Sequence, residues 1–276
     1  MSLRILSIDH RVPLIELADK TGAPRERLSH FKKLVVDAAL EVAQGRNGFG
    51  VFLDGGYGAP AIAKAQDARL FIARPIDAPH ALPLQFEGGD DLASTFADWP
   101  AGVTVKCAVY LHPQDSRDIL TGADRALAQL HAACEQAGLR LLLEVLASPH
   151  GPVDERTVAG LIAHFYGLGV KPHWWLIEDQ PGDGWTRCGD LVRAHDSACE
   201  GFLTIARTID SFPAVVASSR REPLVKGFCA GRSMFGATLE PWLKGAIDDQ
   251  TGVAAMVANF ATVVAAWDAP GAHPSR

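Results

Sequence analysis

A single (β/α)8 barrel, an α/β fold, is what this sequence predicts, and three observations predict it. Eight apolar runs of strand length recur along the chain, separated by stretches with helical periodicity. Strands alternating with helices imply parallel pairing. The 276 residues also match the size of eight such units. A doubly wound open sheet is the competing arrangement, and the count of eight favours the barrel.

The first run, "RILSID" at 4–9, leads into the amphipathic "RERLSHFKKLVVDAALEVAQG". "GVFLDG" at 50–55 and "RLFIAR" at 69–74 come next, joined only by "YGAPAIAKAQDA". "VTVKCAVYL" at 103–111 precedes "GADRALAQLHAACEQAG", a helix that Gly138 stops. "RLLLEVLA" at 140–147 precedes "VDERTVAGLIAHFYGLG". "HWWLIED" at 173–179, "FLTIAR" at 202–207 and "PLVKGFCAG" at 223–231 complete the set, and "DDQTGVAAMVANFATVVAAW" supplies a last helix. No internal repeat or linker interrupts the series. One domain is therefore expected over 1–267, with "DAPGAHPSR" at 268–276 as a frayed, flexible tail.

Composition narrows the function classes. A content of 48% hydrophobic and 21% charged residues is ordinary for a globular protein. No apolar run approaches the ~20 residues of a membrane span, and the N-terminus lacks the parts of a signal peptide. A cytoplasmic protein with no membrane partner is expected. The five cysteines are scattered singly, which suits reduced thiols better than disulfides or a zinc site. A formal charge of −6 offers no field for nucleic acid, although a local cluster of cations can still hold a small anion. The histidines show no H-E-x-x-H or similar spacing, so no metal and no cofactor are expected. A homo-oligomer is compatible with all of this.

Alternation within the strands points to a site. Side chains of a strand face opposite sides in turn. Val103, Val105, Cys107 and Val109 make one apolar face, leaving Thr104, Lys106 and Ala108 for the barrel axis. Leu141, Leu143 and Val145 face outward, which sends Glu144 inward. The same reading turns Asp9, Asp54, Arg74, Glu178 and Lys226 inward. Barrel interiors are usually layered with branched apolar side chains, and the catalytic face is at the C-terminal ends of the strands. An inward set carrying both signs of charge therefore reads as an active site. The alternative is a charge network that closes the core, which is costly unless fully paired.

Inward lysine beside a carboxylate suggests carbonyl chemistry. A lysine that loses its proton through burial and a neighbouring cation can attack a carbonyl and form a Schiff base. Glu144 can then shuttle protons while a carbon–carbon bond breaks. Arg232 follows the last strand in "AGRSMFG", where a helix begins, and barrels commonly bind phosphate in that region. His10, ending the first strand, could reach a substrate, although a loop histidine is more often a bystander, and His112, after the fourth, reads the same way. A magnesium site built from Asp9, Glu144 and Glu178 is the metal-dependent variant, which the two lysines disfavour.

The motifs "SIDHR", "FKKLVVDA", "FLDGGYG", "ARPI", "LQFEGG", "VKCAVYLHPQD", "LLLEVL", "KPHWW", "PLVKGFCAGRSMFG" and "WLKGAID" occur in order from residue 4 to about 267. Together they resemble the aldolase-type domain fused behind 5-dehydro-2-deoxygluconokinase in bacterial inositol catabolism. That domain is similar to the tagatose-1,6-bisphosphate aldolases, class I enzymes on a (β/α)8 barrel. The resemblance implies cleavage of a phosphorylated keto sugar acid, such as 2-deoxy-5-keto-gluconate 6-phosphate, to dihydroxyacetone phosphate and malonate semialdehyde. It implies Asp9 and His10 at the strand-one site, Lys106 as the second lysine, Glu144 as the acid/base and Arg232 on phosphate.

One position departs from the resemblance. The related enzymes carry their Schiff-base lysine on strand six, in a W-W-K-L-E pattern, where this chain has Leu176. The nucleophile then passes to Lys106 or Lys226. Lys106 is favoured because its strand neighbours that of Glu144, with Lys226 left to hold the anionic end of the substrate. An isomerase or epimerase using Glu144 and Lys226 without an imine is the second reading. A sugar-phosphate-binding barrel without catalysis is the third.

Overall fold

All eight apolar runs form strands, and the computed structural model, which describes residues 2–79 and 81–269, closes them into a parallel barrel in chain order. The first part of the chain forms β1 (Leu3–Ser7), α1 (Val12–Thr21), α2 (Arg27–Ala43), β2 (Phe49–Phe52), α3 (Ala59–Asp67) and β3 (Phe71–Pro75). The middle forms α4 (Leu92–Ala97), β4 (Thr104–Tyr110), α5 (Arg117–Ala137), β5 (Leu141–Leu146), α6 (Thr157–Gly167) and β6 (Trp174–Ile177). The last third forms α7 (Gly184–His195), β7 (Gly201–Ala206), α8 (Phe212–Ser219), β8 (Val225–Ala230), α9 (Arg232–Leu243) and α10 (Asp249–Asp268). The fold is the expected (β/α)8 barrel. Within it the chain divides into two compact units: residues 2–75, 205–216 and 227–269, and residues 76–204 with 217–226.

In the first unit, β1 runs beside β2 with Ile5 opposite Gly50 and Ser7 opposite Phe52, and beside β8 with Ile5 opposite Cys229. Gly50 is required by this packing. A β-carbon there would lie 2.5 Å from the Phe71 carbonyl oxygen and 2.7 Å from Ile5 Cδ1. The neighbouring residues point the other way, to the helices. Phe49 and Phe228 both meet Phe260 of α10 at 6.2 Å between ring centres, and Phe228 also meets Trp267 at 5.6 Å.

Helix α10 corrects one expectation. Its 20 residues are long and apolar enough, by length and composition, to cross a membrane, because the scattered small residues raise hydropathy without forming an uninterrupted run. Here its apolar stripe of Met256, Phe260, Val263 and Trp267 is buried against the barrel. Asp248 caps its start by accepting from Thr251 N at 2.8 Å. Asp268, placed by the sequence in a tail, ends this helix and receives Arg4 Nε at 3.0 Å. Residues 270–276 of that expected tail lie outside the described residues.

In the second unit, β4, β5, β6 and β7 pair in order, with Ala108 opposite Glu144, Glu144 opposite Leu176 and Leu176 opposite Leu203. Their alternate residues face helices. Trp175 lies 5.6 Å from Tyr166 of α6, and Phe202 lies 6.1 Å from Trp185 of α7. Trp174 and Leu176 therefore face the axis. Gly138, left-handed at φ 64°, stops α5 as its position in the sequence predicts.

Candidate active site

The second unit holds a buried ion pair on the axis-facing side of β4 and β5. Lys106 Nζ lies 2.5 Å from Glu144 Oε2, and their side chains are 6% and 14% exposed. Register explains the meeting: Lys106 sits opposite Leu142 and Ala108 opposite Glu144, so the long lysine reaches one step forward along the neighbouring strand. Leu176, fully buried, is opposite Glu144 on the other side. The carboxylate thus has a lysine to one flank and a leucine to the other. Trp174, axis-facing one step below, buries an Nε1–H with no hydrogen-bond partner among the described residues.

Glu178, 4% exposed, continues the axis-facing set past β6. Its Oε1 accepts from the N–H groups of Ala147 and Ser148, both at 2.8 Å, and so braces the turn after β5. Asp77 does the same for β4, accepting from Ala108 N at 2.9 Å. A cleft at the end of β4 is lined by Asp77, Ala81, Leu82, Ala108 and Tyr110, and Ala108 is the register partner of Glu144.

Two loops of this unit carry histidines. His112, 4% exposed, has both ring nitrogens engaged: Nδ1 receives Gln114 N at 3.2 Å and Nε2 bonds the Pro152 carbonyl at 3.1 Å. Gly151 makes room for it, since a β-carbon there would come within 3.1 Å of the ring. His112 is a structural bridge between loops, the bystander role that a loop histidine more often has. His150, in the turn after β5, instead hydrogen-bonds Asp115 Oδ2 through Nδ1 at 2.8 Å.

In the first unit, the ends of β1 and β2 are tied from below by a lysine that sequence reasoning missed. Lys32 of α2 is 1% exposed. Its ammonium donates to the carbonyls of Ile8 at 2.7 Å and His10 at 3.1 Å and pairs with the Asp54 carboxylate. Burial holds its pKa below the usual lysine value, with Asp54 working in the opposite direction. The available signal was a lysine within the apolar stripe of "FKKLVVDA". Asp54 also accepts from Tyr57 N at 2.9 Å. Asp9 shares the face of Ile5 and Ser7, and the Ser7 hydroxyl donates to it at 2.5 Å. His10 meets the edge of Phe235 at 5.7 Å. Gly231 allows that approach, since a β-carbon there would lie 3.3 Å from the His10 ring.

Arg232 is exposed at the first position of α9. Gly231 precedes it without a capping side chain, so the first-turn N–H groups receive no side-chain cap. Ser233 Oγ is buried there with no hydrogen-bond partner among the described residues.

Two inward assignments are corrected. Lys226 shares the face of Phe228, the helix-facing one, and stands second in β8, at the N-terminal end of the strand. Its stem runs past Gly201, where a β-carbon would lie 3.3 Å from Lys226 Cδ. Arg74 alternates with Phe71 and Ala73, which pair with the axis-facing Gly50 and Phe52, and its guanidinium covers Gly55 instead. Both strands are apolar on both faces, so polarity gave no phase. Lys106, Glu144, Glu178 and Asp9 keep their inward assignment, and Asp54 turns to Lys32. Among the described residues no group of three or more His, Cys, Asp or Glu is placed to hold a metal ion. Burial raises the thiol pKa of Cys134, Cys188 and Cys199 to about 12, so none is a ready nucleophile.

Residues 1–270 match the family described as "Uncharacterized protein conserved in bacteria (DUF2090)". The chain belongs to that family. Among solved structures, this DUF2090 protein is similar to fructose-bisphosphate aldolase from Plasmodium falciparum in its ternary complex with TRAP and an inhibitor. The TM-score is 0.69 at 13% identity, over 99% of this chain and 91% of that one. It is also similar to Cgl0159 from Corynebacterium glutamicum, with a TM-score of 0.56 at 18% identity over 96% and 85%. At such identities the likeness is one of fold. A glycogen debranching enzyme of Enterobacter sp. (strain 638) is 26% identical over 174 residues, 57% of this chain. The chain spans about a quarter of that curated relative, 24% of its length.

Proposed function

We propose that this protein is a carbon–carbon lyase of the class I aldolase type, acting on a phosphorylated or otherwise anionic keto sugar acid. The observation that carries the reading is the buried Lys106–Glu144 pair on adjacent strands. Proton transfer from the Lys106 ammonium to Glu144 yields an amine and a carboxylic acid side by side. The amine adds to the substrate carbonyl, and Glu144 returns its proton to the departing hydroxyl, releasing water and leaving an iminium. That iminium accepts the electron pair of the breaking carbon–carbon bond, while the substrate hydroxyl gives its proton to the Glu144 carboxylate and becomes the aldehyde product. Protonation of the resulting enamine and hydrolysis return the amine. In the first unit, taken by itself, Arg232 and the uncapped first turn of α9 form an arrangement that favours anions. The sequence resemblance supports a keto sugar acid phosphate, and the aldolase-like fold agrees with it.

The same ion pair also favours a second reading. A lysine held as an ammonium by a carboxylate is a donor rather than a nucleophile, so Glu144 as base and Lys106⁺ as electrophile suit an isomerase. A glycan-cleaving reading prompted by the Enterobacter relative finds less support, because Glu178 is spent on two backbone N–H groups. Borohydride reduction in the presence of 2-deoxy-5-keto-gluconate 6-phosphate or dihydroxyacetone phosphate, followed by peptide mass spectrometry, separates the two. An adduct on Lys106 is expected. Turnover without any adduct moves the assignment to the isomerase.

A further inference from the structure

An aldolase-type cycle moves protons at two places, the carbinolamine and the carbon that becomes the enamine, and two separate carriers can serve them. Glu144, engaged with Lys106, serves the first. The loops that follow β4 and β5 supply one side chain suited to the second. His150 lies six positions after Glu144, in the turn that continues β5 at the C-terminal, catalytic end. Three features fix its ring. His150 N bonds the Ala147 carbonyl at 3.0 Å, the same turn is braced on Glu178, and Nδ1 is held by Asp115 at 2.8 Å. Asp115 is fixed in turn, since its Oδ2 also accepts from His112 N at 2.7 Å and its own N–H bonds the His112 carbonyl at 2.9 Å. The side chains of His150 and Asp115 are only 17% and 13% exposed.

A carboxylate on Nδ1 puts the ring proton of neutral imidazole on that nitrogen and the lone pair on Nε2. Nε2 makes no hydrogen bond among the described residues. The contrast with His112, both of whose nitrogens are engaged, leaves His150 as the histidine of these two loops able to move a proton.

We propose that His150, oriented by Asp115 as a positioning residue, is the second acid/base group of the site and moves the proton at the carbon next to the imine. The proposal rests on the aldolase reading above. In the step, the carbon–hydrogen pair becomes the enamine double bond, the iminium electrons return to nitrogen, and the proton passes to His150 Nε2. The reverse step delivers a solvent proton to carbon.

The test uses the full chain and dihydroxyacetone phosphate. Borohydride trapping reports the imine, and nuclear magnetic resonance in deuterium oxide reports exchange at the carbon beside the carbonyl. His150→Gln should trap as well as wild type while exchange falls by about 10²–10⁴, the usual contribution of a general acid–base. Asp115→Asn should lower exchange and Asp115→Glu should recover it, and added imidazole should restore exchange to His150→Gly. Unchanged exchange in His150→Gln overturns the proposal. So does loss of adduct and exchange together, which would mean a merely structural role. Wild-type protein that neither traps nor exchanges overturns the aldolase reading itself, and this role falls with it.

Discussion

Replacing Lys32 with methionine is the sharpest test of how the ends of β1 and β2 are held. Methionine keeps most of the length and apolar character of the stem while deleting the charge. The deletion strands an Asp54 carboxylate that is 1% exposed and, among the described residues, left with the Tyr57 N–H, and it removes a donor to the Ile8 and His10 carbonyls. Breaking a buried pair from one side costs about 3–5 kcal/mol. Against the ~5–15 kcal/mol that stabilises a typical domain, such a loss is large but survivable. Urea unfolding followed by circular dichroism measures it. Lys32→Met/Asp54→Leu should regain most of the loss, because an apolar pair of similar volume often replaces a buried ion pair at little cost.

The pH dependence carries a definite sign. Burial lowers the folded-state pKa of Lys32 below its ordinary value of 10.5, so between those two values the unfolded chain binds the extra proton. Stability contributed through Lys32 therefore rises with pH across that window. The gap between wild type and Lys32→Met should widen from neutral pH towards 10.5. A loss below about 1 kcal/mol, the scale of an exposed pair, or a gap that narrows with pH would refute the reasoning.

Gly50→Ala should destabilise by about 1–3 kcal/mol in the same assay, because its methyl group meets a backbone oxygen that cannot move aside. An unchanged urea midpoint would show that β2 can shift away from β3. Arg232→Ala should weaken dihydroxyacetone phosphate binding by calorimetry about 10- to 100-fold, the loss of one charge-assisted hydrogen bond of about 1.5–3 kcal/mol; undiminished affinity removes Arg232 from the anion site. Leu176→Lys should produce a borohydride adduct at position 176, since Leu176 stands opposite Glu144 in register. Labelling that stays on Lys106 alone would show that the position is out of reach of the carbonyl.

The barrel was legible because eight strand-helix alternations leave few other folds. Phase along a strand was legible only where one face carried a distinct polarity. In β4, valines and a cysteine mark the helix-facing side, and Lys106 follows correctly. In β3 and β8 both faces are apolar, so Arg74 and Lys226 were turned the wrong way. Lys32 and His150 escaped for other reasons. A helix lysine looks like a solvated charge until the strand ends above it supply acceptors, and a loop histidine acquires meaning only from Asp115, 35 positions earlier.

The correction at Lys226 changes the electrostatic logic as well. A second axis-facing cation was to have stripped Lys106 of its proton, and β8 does not supply it. The axis-facing side of β4 to β6, taken just past its end, carries Lys106 against Glu144 and Glu178, one positive charge against two negative. A lysine at position 176 would balance that count, and Leu176 leaves it negative. An anionic substrate therefore gains little from these strands. The pair also fixes what must happen before Lys106 can attack a carbonyl. The amine is freed by proton transfer to Glu144, whose carboxylate lies 2.5 Å away. Glu144→Gln should then abolish trapping as completely as Lys106→Met, an equality that a lysine activated by neighbouring cations would not show.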